Sequence, residues 1–187
     1  MKRAFQACRQ KVANRGVPPE SFLNELIDWA KTAPDEIFER NSRQDIYSNI
    51  ASELGPWQNF IHRKAVMLEV LRVLGGFESS WMWNAGVDKT NPDSLICTCR
   101  EEAGIFQCSA DSMSFSPRLK SLLYEAAGGE TCEAFILATK SNHKFAIEYC
   151  ARLLRCTVNH HGPVKGRYIN PWLRRDAVAE FVGFLES

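Results

Sequence analysis

The chain has 187 residues, 45% of them hydrophobic, which is enough for one domain with its own core. Its 23 basic and 22 acidic residues leave a formal net charge of +1, so we expect no nucleic-acid partner, because such proteins carry strongly basic surfaces. No apolar run reaches about 18 residues, and we expect no membrane span. Residues 1–10 carry basic side chains without an apolar run behind them, unlike a secretory signal peptide.

The first half of the chain shows helical spacing and helix-ending residues. An apolar pattern of period 3.6 follows Pro18-Pro19 and stops before Pro34, and Ser42 with Asp45 resembles a capping box ahead of the next one. The most apolar segment, roughly 57–74, is apolar on most sides in its last two turns. This pattern predicts a helix buried within the domain.

The buried helix is predicted to end at Gly75-Gly76 through a glycine cap. Residues 77–115 then lack sustained periodicity, which predicts a long active-site loop or a small β-hairpin. Helices resume at Ser116-Pro117, an N-cap and first-turn pair. The patterns that follow predict further helices over 131–139, 142–156 and 172–186. We therefore predict a mainly α fold of α+β character.

Seven cysteines are present, and six lie in one third of the chain: Cys97, Cys99, Cys108, Cys132, Cys150 and Cys156. Such clustering is typical of disulfides in an oxidising compartment or of reduced, partly buried thiols in the cytosol, and we favour disulfides. The pairing stays open, with Cys8 left over. Without a signal peptide, this predicts a protein that is secreted or delivered to the periplasm by another route.

One acidic residue, Glu78, follows the predicted end of the buried helix. The negative end of the helix dipole and the neighbouring rings of Phe77, Trp81 and Trp83 all favour a protonated carboxyl. A general acid for glycoside cleavage must hold such a proton, and aromatic rings suit the apolar faces of sugars. A lone glutamate at a helix end is otherwise a solvated surface residue, so position alone does not decide its role.

Three sequence motifs bear on the role of Glu78. Gly75–Trp81 reads GGFESSW, Gly104–Gln107 reads GIFQ, and Thr157–Pro163 reads TVNHHGP. In this order they resemble the signature of the soluble lytic transglycosylase and goose-type lysozyme family. That family has a Glu-Ser pair at the end of a central helix, then a Gly-(Leu/Ile)-(Met/Phe)-Gln turn across the cleft, then an Ala-Tyr-Asn-Ala-Gly segment. The resemblance covers roughly residues 57–165.

The resemblance implies one lysozyme-like domain over 1–187, with a helical extension at 1–56, a catalytic core at 57–165 and a C-terminal helix at 166–187. Glu78 would be the catalytic acid and then the base. The residues that would contact substrate are Ser79, Gly104, Ile105, Phe106, Gln107 and Asn159. Two departures concern the cleft: the gap between the first two motifs is longer than usual, and Val158 and His160-His161 replace family residues.

The implied substrate is bacterial peptidoglycan, cut without a cofactor at the β-1,4 bond between N-acetylmuramic acid and N-acetylglucosamine. A muramidase adds a second carboxylate to position water, whereas a lytic transglycosylase uses the muramyl 6-hydroxyl and one carboxylate. Asp88 is the first candidate for a second acid, and the surplus of acids favours hydrolysis. The other candidates are Asp93, Glu101, Glu102 and Asp111.

Other interpretations are a cysteine amidase, with Cys108 paired to His160 or His161, and a peptidoglycan-binding domain without chemistry. Cys97-Thr-Cys99 with Cys108 lacks the usual spacing and a fourth ligand, so we expect no metal site. In plan the chain resembles glycoside hydrolase effectors delivered by type VI secretion, which implies a periplasmic immunity protein as a partner. A phage endolysin or a wall-remodelling enzyme stays open.

Overall fold

A long central helix organises the fold. The computed structural model describes residues 3–41, 44–56, 58–87 and 89–187. The α-helices of these residues are α1 (Glu20–Thr32), α2 (Ile46–Asn49), α3 (Ala51–Leu54), α4 (Phe60–Ser79), α5 (Pro117–Ala127), α6 (Cys132–Ser141), α7 (His143–Cys156), α8 (Gly162–Lys165) and α9 (Arg175–Glu186). The 3-10 helices are Asp35–Ile37, Pro92–Leu95, Thr98–Arg100, Ala110–Phe115 and Asn170–Trp172.

Helix α4 is enclosed by other helices. It packs against α1, α7, α8 and α9, most extensively against α9, while α5 and α6 pack on each other and on α7. One cluster of buried apolar side chains extends from Phe5 to Phe181. Most residues of α4 are buried, so the prediction of an internal helix is confirmed.

The fold is mainly α, as predicted. Within the described ranges, β-structure is limited to two isolated antiparallel bridges, Val12–Gly16 and Ala103–Cys108, so the predicted hairpin is not confirmed. The segment 77–115 is instead shaped by the last turn of α4 and three 3-10 helices. None of the helices in the described parts is both long and apolar enough to cross a membrane.

The helix boundaries follow local capping chemistry. Ser116 accepts a hydrogen bond from the Arg118 backbone at the start of α5, and Gly128 ends that helix in the left-handed conformation, as the sequence predicts. The capping box before α2 differs from the prediction. Asp45 is itself the N-cap and pairs reciprocally with Ser48, whereas Ser42 lies outside the described residues.

The prediction that α4 ends at Gly75-Gly76 is wrong. The helix continues one turn further to Ser79, and Ser80 ends it in the left-handed conformation at φ 53°. The Ser80 amide donates to the Gly76 carbonyl, and the Trp81 amide donates to the Gly75 carbonyl. Glu78 therefore belongs to the last turn of the helix instead of following it.

The two glycines serve a close contact. The Trp81 side chain folds back under α4, where its indole Nε1 donates to the Arg72 carbonyl at 2.8 Å. A Cβ atom on Gly76 would lie 2.7 Å from Trp81 Cζ2, and one on Gly75 would lie 3.2 Å from Trp81 Cδ1. Packing therefore requires glycine at both positions, which lie inside the helix and do not end it.

Two residues of α4 form a completely buried ion pair. Arg72 Nε donates to Glu69 Oε2 at 2.6 Å, and both side chains are 0% exposed. The pair also holds distant backbone: Arg72 donates to the carbonyls of Gln10 and Trp172, and Glu69 Oε1 accepts from the Arg174 amide. Burial raises the pKa of Glu69, while its contacts with Arg72 act in the opposite direction.

We predict that Gly76→Ala destabilises the protein. Overpacking against the indole costs about 1–3 kcal/mol, which outweighs the gain of up to about 1 kcal/mol from better helix propensity. Gly183→Ala is the matched control, because Gly183 lies inside α9 with nothing within 4 Å of an added Cβ. Denaturant unfolding should show a lower stability for Gly76→Ala and an unchanged or higher one for Gly183→Ala; equal effects would contradict the packing explanation.

Removing one partner of the buried ion pair should be more damaging still. Arg72→Met leaves the Glu69 carboxylate buried without its cation, and the free energy of unfolding should fall by about 3–5 kcal/mol. Arg9→Met breaks the exposed pair with Glu20 and should cost less than about 1 kcal/mol. Chemical denaturation of both variants checks this. A loss for Arg72→Met no larger than for Arg9→Met would show that the pair does not hold the core.

Candidate active site

Glu78 reaches a surface pocket from the last turn of α4. Its side chain is 15% exposed. The pocket encloses about 270 Å³ and is lined by Glu78, Ser79, Met82, Ala85, Gly86, Glu102 and Gln107. We call it the Glu78 pocket. Residues from the first two sequence motifs thus meet around one carboxyl group.

Ser79 connects the two motifs. Its hydroxyl donates to the Ile105 carbonyl at 2.8 Å and accepts from the Met82 amide at 3.1 Å, and the side chain is buried. The end of α4 is therefore tied directly to the Gly104–Gln107 turn. Ser79 therefore shapes the pocket through these hydrogen bonds, and it also forms part of the pocket wall.

The Gly104–Gln107 turn lies beside the last turn of α4, and its residues divide between core and pocket. Gly104 adopts φ 72°, and a Cβ there would lie 2.6 Å from the Thr139 carbonyl oxygen, so only glycine fits. Ile105 and Phe106 are buried in the core. Gln107 lines the pocket, and its Nε2 donates to the Gly104 carbonyl at 2.9 Å.

The aromatic residues near Glu78 are used differently from the prediction. Trp81 is 5% exposed because it is folded under α4, so it offers no platform for a sugar. Trp83 stacks on His143 with 3.8 Å between ring centroids. Met82, which is exposed, supplies the apolar surface of the Glu78 pocket.

A buried histidine contacts the candidate acid on the side away from the pocket. His161 Nδ1 lies 3.2 Å from Glu78 Oε1, and His161 is 3% exposed. On the other side of the ring, Nε2 lies 3.9 Å from Cys108 Sγ and 3.7 Å from Cys150 Sγ. We call Cys108, Cys150 and His161 the sulfur–imidazole cluster. All three residues are buried.

Each group of the cluster affects the proton affinity of its neighbours. The hydrogen bond from the Cys150 thiol, together with His161 and against the effect of burial, lowers the pKa of Cys108 to about 6. Burial favours a neutral His161, but contacts with Cys108 and Glu78 outweigh it and raise its pKa to about 10. Burial raises the pKa of the Cys150 thiol.

The third motif contributes a residue other than the predicted one. Asn159 is exposed, and its backbone amide bonds the Thr157 hydroxyl; it is not among the described residues that line the Glu78 pocket. His160 packs edge-on against Phe115, and burial, aided by the charge on His161, lowers its pKa to about 3. His161 takes the place beside the acid.

The candidates for a second carboxylate lie at different places in the structure. Asp88 lies outside the described residues. Glu102 lines the Glu78 pocket and accepts a hydrogen bond from Asn91 at 3.4 Å. Asp111 is exposed and accepts from the Ser109 hydroxyl. Among the acids that the structure describes, Glu102 is therefore the one that shares a pocket with Glu78.

The sequence carried a weak signal for the cluster. Cys150 lies on the apolar face of α7, which placed it in the core, and a paired histidine in a motif region marked His161 as a candidate. Only tertiary packing brings Cys108, Cys150 and His161 together, because each lies on a different element. The disulfide expectation is met only in part, because Cys99 and Cys132 form a disulfide, whereas Cys108 and Cys150 are thiols.

Comparison with known proteins adds no relative. No protein-family model, curated protein or solved structure matches the chain.

We predict that Ser79→Ala loosens the contact between α4 and the Gly104–Gln107 turn. The change leaves the Met82 amide and the Ile105 carbonyl without the hydroxyl, which costs about 1–3 kcal/mol of unfolding free energy. Ser80→Ala is the control, since Ser80 is adjacent and exposed. Urea unfolding of both variants compares them, and equal stabilities would argue against this connection.

Proposed function

We propose that the protein cleaves the glycan strand of bacterial peptidoglycan between N-acetylmuramic acid and N-acetylglucosamine, with Glu78 as the general acid and then the base. The observation that carries this proposal is the position of Glu78. A partly exposed carboxyl projects from the end of a buried helix into a pocket that also contains Ser79 and Gln107. These residues belong to the motifs that resemble lytic transglycosylases and goose-type lysozymes.

The chemistry requires little more than one carboxyl group. Glu78 donates its proton to the glycosidic oxygen as the C1–O bond breaks, and the resulting carboxylate takes a proton from the incoming oxygen nucleophile. Because Oε1 contacts His161, Oε2 is the oxygen that faces substrate in this proposal. A pocket of about 270 Å³ suits one sugar ring, so the rest of the strand would follow the surface.

The second carboxylate decides the product. In a muramidase, Glu102 would position the attacking water, since it shares the pocket with Glu78. In a lytic transglycosylase, the muramyl 6-hydroxyl attacks and no second acid is needed. The proposal covers both outcomes, and the mass of the product distinguishes them.

A cysteine amidase acting on the peptide stems is the second candidate. The observation in its favour is the order Cys108, His161, Glu78, which follows the nucleophile–base–carboxylate arrangement of cysteine hydrolases. Against it, Cys108 is 3% exposed, and the described residues that line the Glu78 pocket do not include it. Glycan cleavage is preferred because the carboxyl of Glu78, and not the thiol, reaches the surface.

The setting proposed for this activity is the periplasm of a target bacterium. The Cys99–Cys132 disulfide fits an oxidising compartment. Delivery by a type VI secretion system would expose the producing cell to its own enzyme, which then requires an immunity protein. Such an inhibitor would act by filling the Glu78 pocket.

The test is digestion of purified sacculi by the wild type and by Glu78→Gln. Removing the proton donor should lower the release of muropeptides at least about 100-fold, while sedimentation with sacculi persists. Glu130→Gln, at an exposed site away from the pocket, is the control and should remain active. Mass spectrometry identifies anhydro-muramyl or reducing ends.

Three other results would contradict the proposed function. Stem peptides released without cut glycans, together with loss of activity in Cys108→Ser, would establish the amidase. Binding to sacculi with no bond cleaved would indicate a non-catalytic domain. Full activity of Glu78→Gln would refute the role of Glu78. Glu102→Gln should reduce the activity only if the products carry reducing ends.

A further inference from the structure

The sulfur–imidazole cluster has the composition of a metal site. From the sequence we expected none, because Cys97, Cys99 and Cys108 have unsuitable spacing. Tertiary packing assembles a different set, in which the ligand atoms of Cys108, Cys150 and His161 all lie within 4.8 Å of one another. We propose that these three residues bind a zinc ion.

The distances suit tetrahedral coordination. A zinc ion with Zn–S bonds of about 2.3 Å and a Zn–N bond of about 2.0–2.1 Å separates sulfur from nitrogen by about 3.6 Å. In the structure, His161 Nε2 lies 3.7 Å from Cys150 Sγ and 3.9 Å from Cys108 Sγ. Shifts of a few tenths of an ångström by the side chains would therefore bring both sulfur–nitrogen pairs to this separation.

The three ligands come from separate parts of the chain. Cys150 lies on the buried face of α7, His161 is the N-cap residue of α8, and Cys108 follows the Gly104–Gln107 turn at the bridge to Ala103. All are nearly inaccessible to solvent. An ion bound there would join α7 and α8 to the wall of the Glu78 pocket.

The carboxylate beside the histidine supports the same assignment. A zinc-binding histidine usually donates its second ring N–H to a carboxylate or carbonyl, which fixes the tautomer and the ring orientation. Glu78 Oε1 lies 3.2 Å from His161 Nδ1, leaving Nε2 for the ion. The metal would thus hold His161, and through it one oxygen of Glu78.

The ligand types select the metal. Two thiolates and an imidazole favour zinc and other thiophilic ions, whereas magnesium and calcium require oxygen ligands. Three protein ligands are the number found in zinc sites that keep a fourth position for water or another ligand. The alternative for two neighbouring thiols is a Cys108–Cys150 disulfide, but it leaves unexplained why His161 Nε2 approaches both sulfurs.

The experiment measures metal bound to the full-length protein, so it does not depend on glycan cleavage. Protein purified with zinc and then desalted is analysed by inductively coupled plasma mass spectrometry. We expect one zinc ion per chain in the wild type, and at least about tenfold weaker zinc binding in Cys150→Ser and in His161→Gln. Cys97→Ser, which removes an exposed thiol, should bind zinc as the wild type does.

Cobalt replacement supplies a readout that needs no variant. Cobalt in the wild-type site should give thiolate-to-metal charge-transfer bands and the intense visible bands of tetrahedral coordination, which zinc then displaces. Circular dichroism checks that each variant folds; where one does not, the cobalt spectrum of the wild type decides. Glu78→Gln should retain zinc, because the amide oxygen still accepts from Nδ1, even as cleavage is lost.

Three results would overturn the proposal. The first is an intact mass four hydrogens below that of the fully reduced chain, two of them from Cys99–Cys132, with a Cys108–Cys150 cross-linked peptide, which would establish the second disulfide. The second is reduced protein that binds neither zinc nor cobalt. The third is equal zinc binding by the wild type and a folded Cys150→Ser, which would mean that the metal lies elsewhere.

Discussion

The fold depends on keeping one long helix buried with an ion pair inside it. Glu69 and Arg72 compensate each other's charge where water is excluded, and their remaining hydrogen bonds hold the backbone near Gln10, Trp172 and Arg174. A buried pair of this kind adds little net stability but is costly to break, and it fixes which segments meet. These contacts hold helix α4 in its observed rotation within the domain.

That rotation determines what the end of the helix presents. Trp81 folds under the last turns, where the two glycines leave room for its ring and its indole bonds the Arg72 carbonyl. Glu78 is directed to the surface pocket by the same geometry, and Ser79 binds the neighbouring turn. The packing of α4 and the candidate site at its end therefore depend on the same contacts.

The pocket and the sulfur–imidazole cluster share Glu78 through His161. On the pocket side, a carboxyl oxygen is available for the proposed proton transfer to a sugar. On the buried side, His161 connects the carboxyl to two thiols that are suited to a metal ion. The proposed surface chemistry and the proposed metal site therefore lie on opposite sides of His161.

Local pattern was sufficient for much of this molecule. Apolar spacing identified α4, and the Ser116 and Gly128 caps bounded α5, because each depends on neighbours within a few residues. The role of Glu78, which the Glu-Ser motif indicated, stays a prediction. The sequence did not determine that Gly75 and Gly76 lie inside the helix, that Trp81 belongs to the core, or that Cys108, Cys150 and His161 meet. Those features are contacts between segments distant in the chain, and only the packing of α7, α8 and the turn against α4 decides them.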